Sequence, residues 1–455
     1  MSTFLIGSVR AAPLSSSSST LNSSSTPSQQ VRVPIRRRNG LQTGRERREF
    51  MKRQGRAMNR KYGTAQKVEK RAGGVGTVEM TDYLDSIWFG SLEIGTPPVV
   101  YDFILDTGSS DLIVATPDCI GCPPDTPGFQ LSQSSTATNK SEAFEITYGS
   151  GAASGYIVED TVSIAGFTSE KQAFALCNNM LNIVNSTISG ILGMGWSSIA
   201  SSGTTPLIEA IASQGQLAQQ VFAFAFESHT FLVDGPTTAP GGEMTIGGVD
   251  TTKYSGEINW NELSEEGFWE IPLGGVLVDG QDTGISTPKA IIDTGTTLIG
   301  LPQTVMQQLY AIVPNSAPAN LDGNGGYFSF PCEQEVTLAL TFGGITYTMP
   351  SSAFNAGTYD FDDYTCLASV FGLDSERYII GDAFLTTVYS AFRLSAPPAV
   401  GFATLGSGGQ PPINTTLTGP ISNQNKDSST SQLRTPSTRL TLLLASTFLA
   451  FGSLL

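Results

Sequence analysis

The sequence predicts an all-β fold made of two related halves, with a few short helices. Between about residues 72 and 405, short alternating segments such as "EAFEITY" (Glu142–Tyr148) and "VTLALTF" (Val336–Phe342) are separated by Gly, Asn and Asp turns. An internal repeat also stands out, because "FILDTGSSDLIVAT" contains Asp106 and "AIIDTGTTLIGLP" contains Asp293, 187 residues later. In each half, two apolar residues and a glycine follow at nearly the same distance, with the glycine 87 residues after the first aspartate and 88 after the second. An ordinary Asp-Thr-Gly turn explains one copy but not the paired spacing.

The composition fits a folded protein and argues against several classes of site. The 455 residues suffice for two or three domains and for a sizeable core, so a disulfide scaffold is not needed. The five cysteines are scattered, and the single histidine, His229, is too few for an HExxH zinc site and allows at most one His-dependent triad. We therefore predict no metal and no cofactor.

Residues 1–71 are predicted to be a weak secretion signal followed by a basic propeptide. The start, "MSTFLIGSVRAAPL", has only a short apolar run, and residues 14–29 are rich in Ser and Thr and predicted to be disordered. This segment holds 16 of the 25 Lys and Arg but 3 of the 40 acids, so the remainder carries a formal net charge of −28. A basic segment of this kind could indicate nucleic-acid binding. Here the acidic part of the same chain, residues 72–455, is the better partner for it. The dibasic Lys70-Arg71 predicts a processing site; the alternative is a solvated basic linker.

The β-rich body divides into a predicted N-terminal lobe, residues 72–250, and a predicted C-terminal lobe, residues 251–405. Two helical patterns interrupt the strands. "TPLIEAIASQGQL" has Pro206 near its start, and "PQTVMQQLYAIV" places Val305, Leu309 and Ile312 on one face.

The C-terminal part has the composition of a linker followed by a lipid-anchor signal. Residues 406–428 are rich in Gly, Pro, Ser and Thr, and residues 429–455 end in the apolar "LTLLLASTFLAFGSLL", with no basic residue after it. Small residues, a polar spacer and an apolar tail are the parts of a GPI-anchor signal, and Ser428 is the predicted anchor site. The alternatives are a short tail anchor and an apolar end without function.

The motifs as a set resemble the pepsin-like aspartic proteases over about residues 59–405. The resemblance rests on both Asp-Thr-Gly loops and both apolar-apolar-Gly motifs. It also rests on "YLDSIWFGSLEIGTPP", "ITYGSGAASG" and "GDAFLTTVYSAF". It implies a bilobal double β-barrel with pseudo-twofold symmetry. Together with the C-terminal signal, it is similar to a fungal-type member that is secreted or attached to the cell wall.

Two lobes related in this way bring Asp106 and Asp293 face to face as the predicted catalytic pair. Two close carboxylates cannot both ionise cheaply, so they hold one proton between them. Gly108 and Gly295 are expected to allow close approach of the backbone to the carboxylates. The resemblance implies supporting roles for four hydroxyl residues, with simple turn capping as the alternative. Thr107 and Thr294 would bond across the lobe junction, while Ser109 and Thr296 would donate to the outer carboxylate oxygens.

"ITYGSG" is similar to the flap hairpin of this family, with Tyr148, Gly149 and Ser150 predicted to cover the substrate. An ordinary Gly-rich hairpin is the alternative. Ser150 offers no acidic group for a basic substrate side chain, so a strong Lys preference is not predicted. The sequence departs from the family at Ile113, where a Trp usually donates an N–H to the flap Tyr; Ile cannot donate, which puts the order of the flap in question.

The resemblance also explains the prosegment, because "NRKYG" is similar to the Lys-Tyr pair that plugs the cleft, here Lys61 and Tyr62. The prosegment would therefore act as the enzyme's own inhibitor. Acid would protonate carboxylates of the lobes and loosen the pairing with the prosegment, which would relieve the inhibition. Cleavage after Lys70-Arg71 is a second route of activation.

Cysteines and glycosylation triplets fit a secretory route. Cys332–Cys366 matches the family's second-lobe disulfide, and Cys119–Cys122 occupies the place of the first-lobe loop disulfide; a redox or metal Cys-x-x-Cys is the alternative for the latter. Cys177 is left as a buried thiol or as a partner for one of the first two. Glycosylation is predicted at Asn139, Asn185 and Asn414, with a further triplet at Asn22 in the prosegment.

The sequence thus predicts a monomeric aspartic endopeptidase made as an acid-activated zymogen. Its partners would be polypeptide substrates with apolar side chains beside the cut, its own propeptide and, through the lipid anchor alone, a membrane. It would travel the secretory pathway to the cell surface or wall. The alternative is a catalytically weak, wall-anchored binding protein on the same fold. Ile113 favours that alternative, whereas the paired aspartates and the intact prosegment argue against it.

Overall fold

The computed structural model describes residues 88–148, 151–184, 187–228, 241–319, 321, 326–358 and 364–406, together with the backbone of residues 31–38 and 238–240. The strands up to residue 250 are β1 (Val31–Arg38), β2 (Trp88–Ile94), β3 (Val99–Asp106), β4 (Leu112–Ile120), β5 (Thr138–Thr147), β6 (Ala152–Ile164), β7 (Phe167–Leu181), β8 (Gly190–Gly193), β9 (Val221–Phe226) and β10 (Thr238–Ile246).

The strands after residue 250 are β11 (Tyr254–Glu262), β12 (Glu270–Leu273), β13 (Gly275–Val278), β14 (Gln281–Asp282), β15 (Thr287–Ile292), β16 (Ile299–Pro302), β17 (Ala317–Ala319), β18 (Tyr327–Pro331), β19 (Leu338–Phe342), β20 (Ile345–Met349), β21 (Asn355–Thr358), β22 (Thr365–Ala368), β23 (Val370–Leu373), β24 (Tyr378–Ile380), β25 (Val388–Arg393) and β26 (Ala399–Leu405). The helices are α1 (Leu207–Ser213), α2 (Gln303–Tyr310), α3 (Ser351–Phe354) and α4 (Asp382–Leu385), and two 3-10 turns span Leu131–Gln133 and Ser197–Ile199. The prediction of an all-β fold with a few short helices is confirmed. Within the described ranges, no helix is long and apolar enough to cross a membrane.

The two halves repeat one arrangement of strands around the two aspartates. In the first half, β3 pairs in parallel with β8, and β4 lies between β8 and β7. In the second half, β15 pairs in parallel with β24, and β16 lies between β24 and β23. The repeated motifs therefore form equivalent strand pairs, which explains why the sequence keeps nearly the same spacing twice.

The halves are joined by one large sheet, which the sequence did not predict. Its order is β11-β26-β25-β9-β10-β1-β2-β3-β8-β4-β7-β6-β5, so strands from both halves share it; the second half adds sheets of five, four and four strands. The predicted boundary at residue 250 falls between β10 and β11, and it stays a prediction because neighbouring strands of this sheet belong to different halves. β1, which belongs to the predicted prosegment, lies between β10 and β2.

Aromatic side chains fill the junction beneath the aspartates. Phe222 of β9 stacks on Phe392 of β25 with ring centroids 5.0 Å apart, and both rings contact Trp269. Trp269 is fully buried, and its indole N–H donates to the carbonyl of Met194 at 3.0 Å. Burial of each such ring contributes about 1.5–3 kcal/mol. This packing holds the two halves at a fixed separation under the aspartate loops.

The two predicted helices form, and each begins after a proline, which cannot supply a helical N–H. In α1 the buried residues are Leu207, Ile208, Ile211 and Ala212. In α2 the buried face is Met306, Leu309 and Tyr310, whereas Val305 and Ile312 are only partly buried. The buried face is therefore rotated from the predicted one, and it includes Tyr310, whose hydroxyl donates to the Val370 carbonyl of β23 at 2.7 Å.

Both disulfides expected from the family are present: Cys119–Cys122 and Cys332–Cys366. Cys177 is a buried free thiol, which removes the alternative that it pairs with Cys119 or Cys122.

We expect the pair of substitutions Cys332→Ala and Cys366→Ala to destabilise the protein by about 3–4 kcal/mol, because that bridge closes a long loop. The bridge spans 34 positions, against 3 for Cys119–Cys122. The matched pair of substitutions at Cys119 and Cys122 should cost about half as much. Urea unfolding of both variants measures the difference, and equal losses would contradict the loop-length argument.

Candidate active site

Asp106 and Asp293 lie in equivalent loops at the ends of buried strands. Asp106 is the last residue of β3, Asp293 directly follows β15, and the two side chains are 3% and 0% exposed. Their neighbours in the parallel strand pairs are Gly193 and Ile380, which contribute no charge. Two carboxylates are thus placed in an apolar setting where each must be hydrogen-bonded.

The two carboxylates have matching sets of donors. The Gly108 N–H donates to Oδ1 of Asp106 at 2.8 Å, and the Ser109 hydroxyl donates to Oδ2 at 2.6 Å. In the second loop, the Gly295 N–H donates to Oδ1 of Asp293 at 2.9 Å, and the Thr296 hydroxyl donates to Oδ2 at 2.5 Å. Charge-assisted bonds of this length hold each carboxylate in one orientation.

Gly295 shows how closely the loops approach each other. A Cβ atom on Gly295 would lie 2.2 Å from Oδ1 and 2.4 Å from Cγ of Asp106, far inside van der Waals contact. Oδ1 of Asp106 therefore faces the second loop, whereas Oδ2, held by Ser109, is the outer oxygen. The absence of a side chain at residue 295 is a steric requirement of the site.

Thr107 and Thr294 connect the loops by a reciprocal network. The Thr107 N–H donates to the Thr294 hydroxyl oxygen at 3.0 Å, and the Thr294 N–H donates to the Thr107 hydroxyl oxygen at 3.0 Å. Each hydroxyl also donates across the junction, Thr107 to the Ile292 carbonyl at 2.8 Å and Thr294 to the Leu105 carbonyl at 2.7 Å. Both threonines are buried, so the network ties the backbones of the two aspartate loops in a dry environment.

Thr294→Val is expected to destabilise the protein by about 2–5 kcal/mol, because it leaves the Leu105 carbonyl and the Thr107 N–H buried without partners. Thr294→Ser keeps the hydroxyl and is the matched control, with a loss that should be much smaller. Unfolding midpoints of the two variants decide the point. A valine variant as stable as the serine variant would contradict this role of the network.

Tyr148, at the turn between β5 and β6 where the flap is predicted, lies near the first aspartate loop. It is 5% exposed, and its N–H donates to the Gly151 carbonyl at 2.7 Å across the hairpin turn. Burial raises the pKa of its hydroxyl well above the usual value, and the charges of Asp111 and Asp106 raise it further, so the phenol stays protonated. The nearby Ser109 hydroxyl lowers this pKa slightly, but no hydrogen bond of normal geometry joins the two within the described part of the chain.

Tyr148→Phe is expected to leave the free energy of unfolding unchanged or slightly higher, because the hydroxyl that it removes is buried without a partner among the described residues. Tyr310→Phe is the matched control. It also removes a buried tyrosine hydroxyl, but one that donates to Val370, and it should cost about 1–3 kcal/mol. Equal losses in both variants, measured by thermal unfolding, would show that Tyr148 does have a partner.

Ile113 is fully buried in the same apolar cluster as Tyr148 and Cys177. It offers the Tyr148 hydroxyl no donor, as the sequence predicts. Trp88 and Trp196 do not replace the usual Trp, because both pack in the main core, Trp88 against Phe226 and Trp196 against Trp269. Burial, together with the charge of Asp111, raises the pKa of the Cys177 thiol to about 12, so this thiol stays protonated.

Several predicted residues lie outside the described part of the chain. They are Gly149, Ser150, Lys61, Tyr62, Lys70, Arg71, Asn22, Asn185, Asn414 and Ser428. Asn139 is described, and its side chain is exposed on β5, where its Oδ1 accepts the Ser141 N–H at 2.7 Å.

Sequence reasoning missed Asp111, a second buried carboxylate in the first loop. Asp111 is 2% exposed and accepts the N–H groups of Ser201 at 2.8 Å and Ser202 at 3.0 Å. The signal was an acid directly inside the motif, at a position that is Leu298 in the second half. Asp111 thus fixes a loop of the first half rather than taking part in the symmetric pair.

The comparisons with known proteins agree with this geometry. The family described as "Asp: Eukaryotic aspartyl protease" matches residues 87–405. "Major aspartyl peptidase 1" of Cryptococcus neoformans var. grubii serotype A is 37% identical over 363 residues, which cover 75% of this chain and 73% of that protein. "Aspartic protease" of Phaffia rhodozyma is 34% identical over 349 residues (75% and 82%). "Pepsin A" of Sus scrofa is 30% identical over 328 residues (70% and 81%). The chain therefore belongs to the eukaryotic aspartyl protease family and is an aspartic-type peptide hydrolase.

Proposed function

We propose that this chain is an acid-activated endopeptidase in which Asp106 and Asp293 together activate one water molecule. The observation that carries the proposal is the pair of buried carboxylates in loops with matching donors, tied by the threonine network. The second loop also lies close to Asp106, since a Cβ on Gly295 would lie 2.2 Å from its Oδ1. As is established for aspartic proteases, such a pair holds one shared proton.

The chemistry follows from that shared proton. The ionised carboxylate takes a proton from the water, while the protonated one polarises the peptide carbonyl and favours attack. The proton then passes to the leaving nitrogen, so no covalent intermediate is required. Ser109 and Thr296 keep the outer oxygens occupied, which directs the inner oxygens to the water.

The substrates proposed are extended peptides with apolar side chains beside the cut. Tyr148 packs in an apolar cluster with Ile113, Ile183 and Ile191, and an apolar substrate side chain beside Tyr148 would lose contact with water. The flap hairpin that carries Tyr148 would close over the peptide and exclude other water.

The prosegment is proposed to hold the enzyme inactive until the pH falls. The β1 backbone pairs with β10 over eight positions and with Phe89 and Trp88 of β2. Cutting after Arg71 would leave this pairing intact, so the severed segment should stay bound at neutral pH. Carboxylates of the acidic body that pair with the basic segment stabilise it while ionised, and this stabilisation is lost as the pH falls and they are protonated.

The test is to acidify the purified proprotein and to follow cleavage of a peptide with an apolar centre from pH 2 to pH 7, together with release of the prosegment. We expect both to rise together in acid. If the prosegment is gone and the fold is intact but no peptide is cleaved, the alternative of a catalytically weak binding protein is favoured.

We also propose a secretory route that ends at the cell surface, with a GPI anchor at Ser428 and glycans at Asn139, Asn185 and Asn414. The exposed Asn139 supports the modification of at least one triplet. Release of the protein from intact cells by a phosphatidylinositol-specific phospholipase would support the anchor. Release that depends only on protease would contradict it.

A further inference from the structure

A groove with a volume of about 660 Å³ is lined in part by β15, the strand that ends directly before Asp293. Its apolar lining comes from Ile199 of the first half and from Phe268 and Ile291 of the second. Ile291 is two residues before Asp293 on an extended segment, so the two side chains point to the same side of the sheet. Beside this groove the two halves are in contact, because the backbone N–H of Trp196 donates to the Gly267 carbonyl at 3.3 Å. A peptide bound across the aspartates would therefore extend over this groove.

The charged lining of the groove is unbalanced. Four carboxylates line it, from Glu265, Glu266, Glu270 and Glu376, against two cations, Lys289 and Arg377. The Lys289 ammonium already binds Glu265 at 2.7 Å and Glu270 at 3.4 Å.

Two of the four carboxylates in the lining form no ion pair with the other charged groups of the groove. The Arg377 guanidinium lies over the Phe268 ring, 5.1 Å from its centroid. Glu266 and Glu376 make no ion pair with any residue that the structure describes, and both are exposed at the groove. Glu266 and Glu376 are thus the two carboxylates of this lining to which no described cation binds.

We propose that this groove selects a Lys or Arg side chain of the substrate, at one position close to the cut bond, through Glu266 and Glu376. The proposal rests on the proposed function, which places the peptide in this cleft. A long basic side chain fits both parts of the lining, because its methylene stem packs on apolar residues while its charged end remains at the polar rim. An acidic side chain at that position would meet like charge and is disfavoured. Selection of a basic residue thus arises here and not at Ser150 of the flap.

The test uses sets of peptides in which one position carries Lys, Arg, Gln or Glu. A separate set is made for each of the three positions on either side of the cut. At pH 5.5, where carboxylates are generally ionised, we expect Lys and Arg to exceed Gln in kcat/KM by about fivefold at one position on one side, and Glu to be worse than Gln. The enzyme used is the purified proprotein after acidification and release of the prosegment.

The variant that combines Glu266→Gln and Glu376→Gln should reduce the Lys-to-Gln ratio of kcat/KM to about one. Glu257→Gln, which removes an exposed carboxylate from β11, is the matched control and should keep the ratio. Wild-type enzyme without a basic preference at any scanned position would overturn the proposal. A preference that survives in the double variant would overturn it as well.

Binding of the same peptides to the Asp293→Asn variant, followed by fluorescence anisotropy, separates this proposal from the proposed function. Binding of the Lys peptide that depends on Glu266 and Glu376 would support the groove proposal. If, in addition, no preparation cleaves peptide, only the catalytic proposal is removed. Equal binding of the Lys, Gln and Glu peptides would remove the groove proposal and leave catalysis untouched.

Discussion

Asp106→Asn and Asp293→Asn are each expected to lower kcat by at least about 10³-fold, with little change in the folded structure. Neither carboxylate can perform the chemistry alone, because one must accept a proton while the other donates one. Asn has nearly the same shape and can still accept the N–H of Gly108 or Gly295 at Oδ1, so the loops should stay in place. Since the pair acts as a unit, the double variant should be about as inactive as either single variant.

The control is Asp111→Asn, which alters a buried carboxylate five positions from Asp106. Asp111 accepts two backbone N–H groups and does not belong to the symmetric pair. We expect this variant to lose stability while the enzyme that remains folded keeps a kcat within about tenfold of wild type. Peptide cleavage in acid, normalised to the folded fraction, makes the comparison. Substantial activity in either paired variant would overturn the assignment of Asp106 and Asp293.

The repeat could be read from the sequence because both copies obey the same local chemistry. A buried strand that ends in an acid needs nearby donors, and the following Thr-Gly-Ser or Thr-Gly-Thr supplies them within three residues. The hydrogen bonds to Asp106 and Asp293 are local in this sense. The local sequence pattern therefore indicated the two aspartate loops. The nearly equal spacing from each aspartate to its later glycine indicated that the two loops form one site.

Other features could not be read from the sequence because they depend on distant pairing. β25 lies beside β9 in the shared sheet, although more than 160 residues separate them, and no pattern within either strand specifies its neighbour. The same holds for the groove, whose carboxylates come from a loop before β12 and from the residues just before β24. In α2, the buried face includes Tyr310, whose hydroxyl bonds to Val370, 60 residues away, a contact that the helical pattern does not indicate.

Gly295→Ala is expected to reduce activity by at least about 10²-fold and to destabilise the fold by about 1–3 kcal/mol. The added methyl would lie 2.2 Å from Oδ1 of Asp106. That carboxylate cannot turn aside without cost, because Gly108 and Ser109 hold both of its oxygens. The strain would instead separate the two loops, and separation of the inner oxygens would weaken their hold on the shared proton and the water.

Gly275→Ala provides a matched control, since a Cβ there would meet nothing closer than 3.7 Å, an ordinary contact with Thr341. It should leave both activity and the unfolding midpoint close to wild type. If Gly295→Ala loses activity but unfolds at the wild-type midpoint, the loops have adjusted locally and the loss lies in the geometry of the aspartate pair. If it keeps full activity, the second loop need not approach Asp106 as closely as the structure places it, and the argument that one water is shared between two facing carboxylates fails.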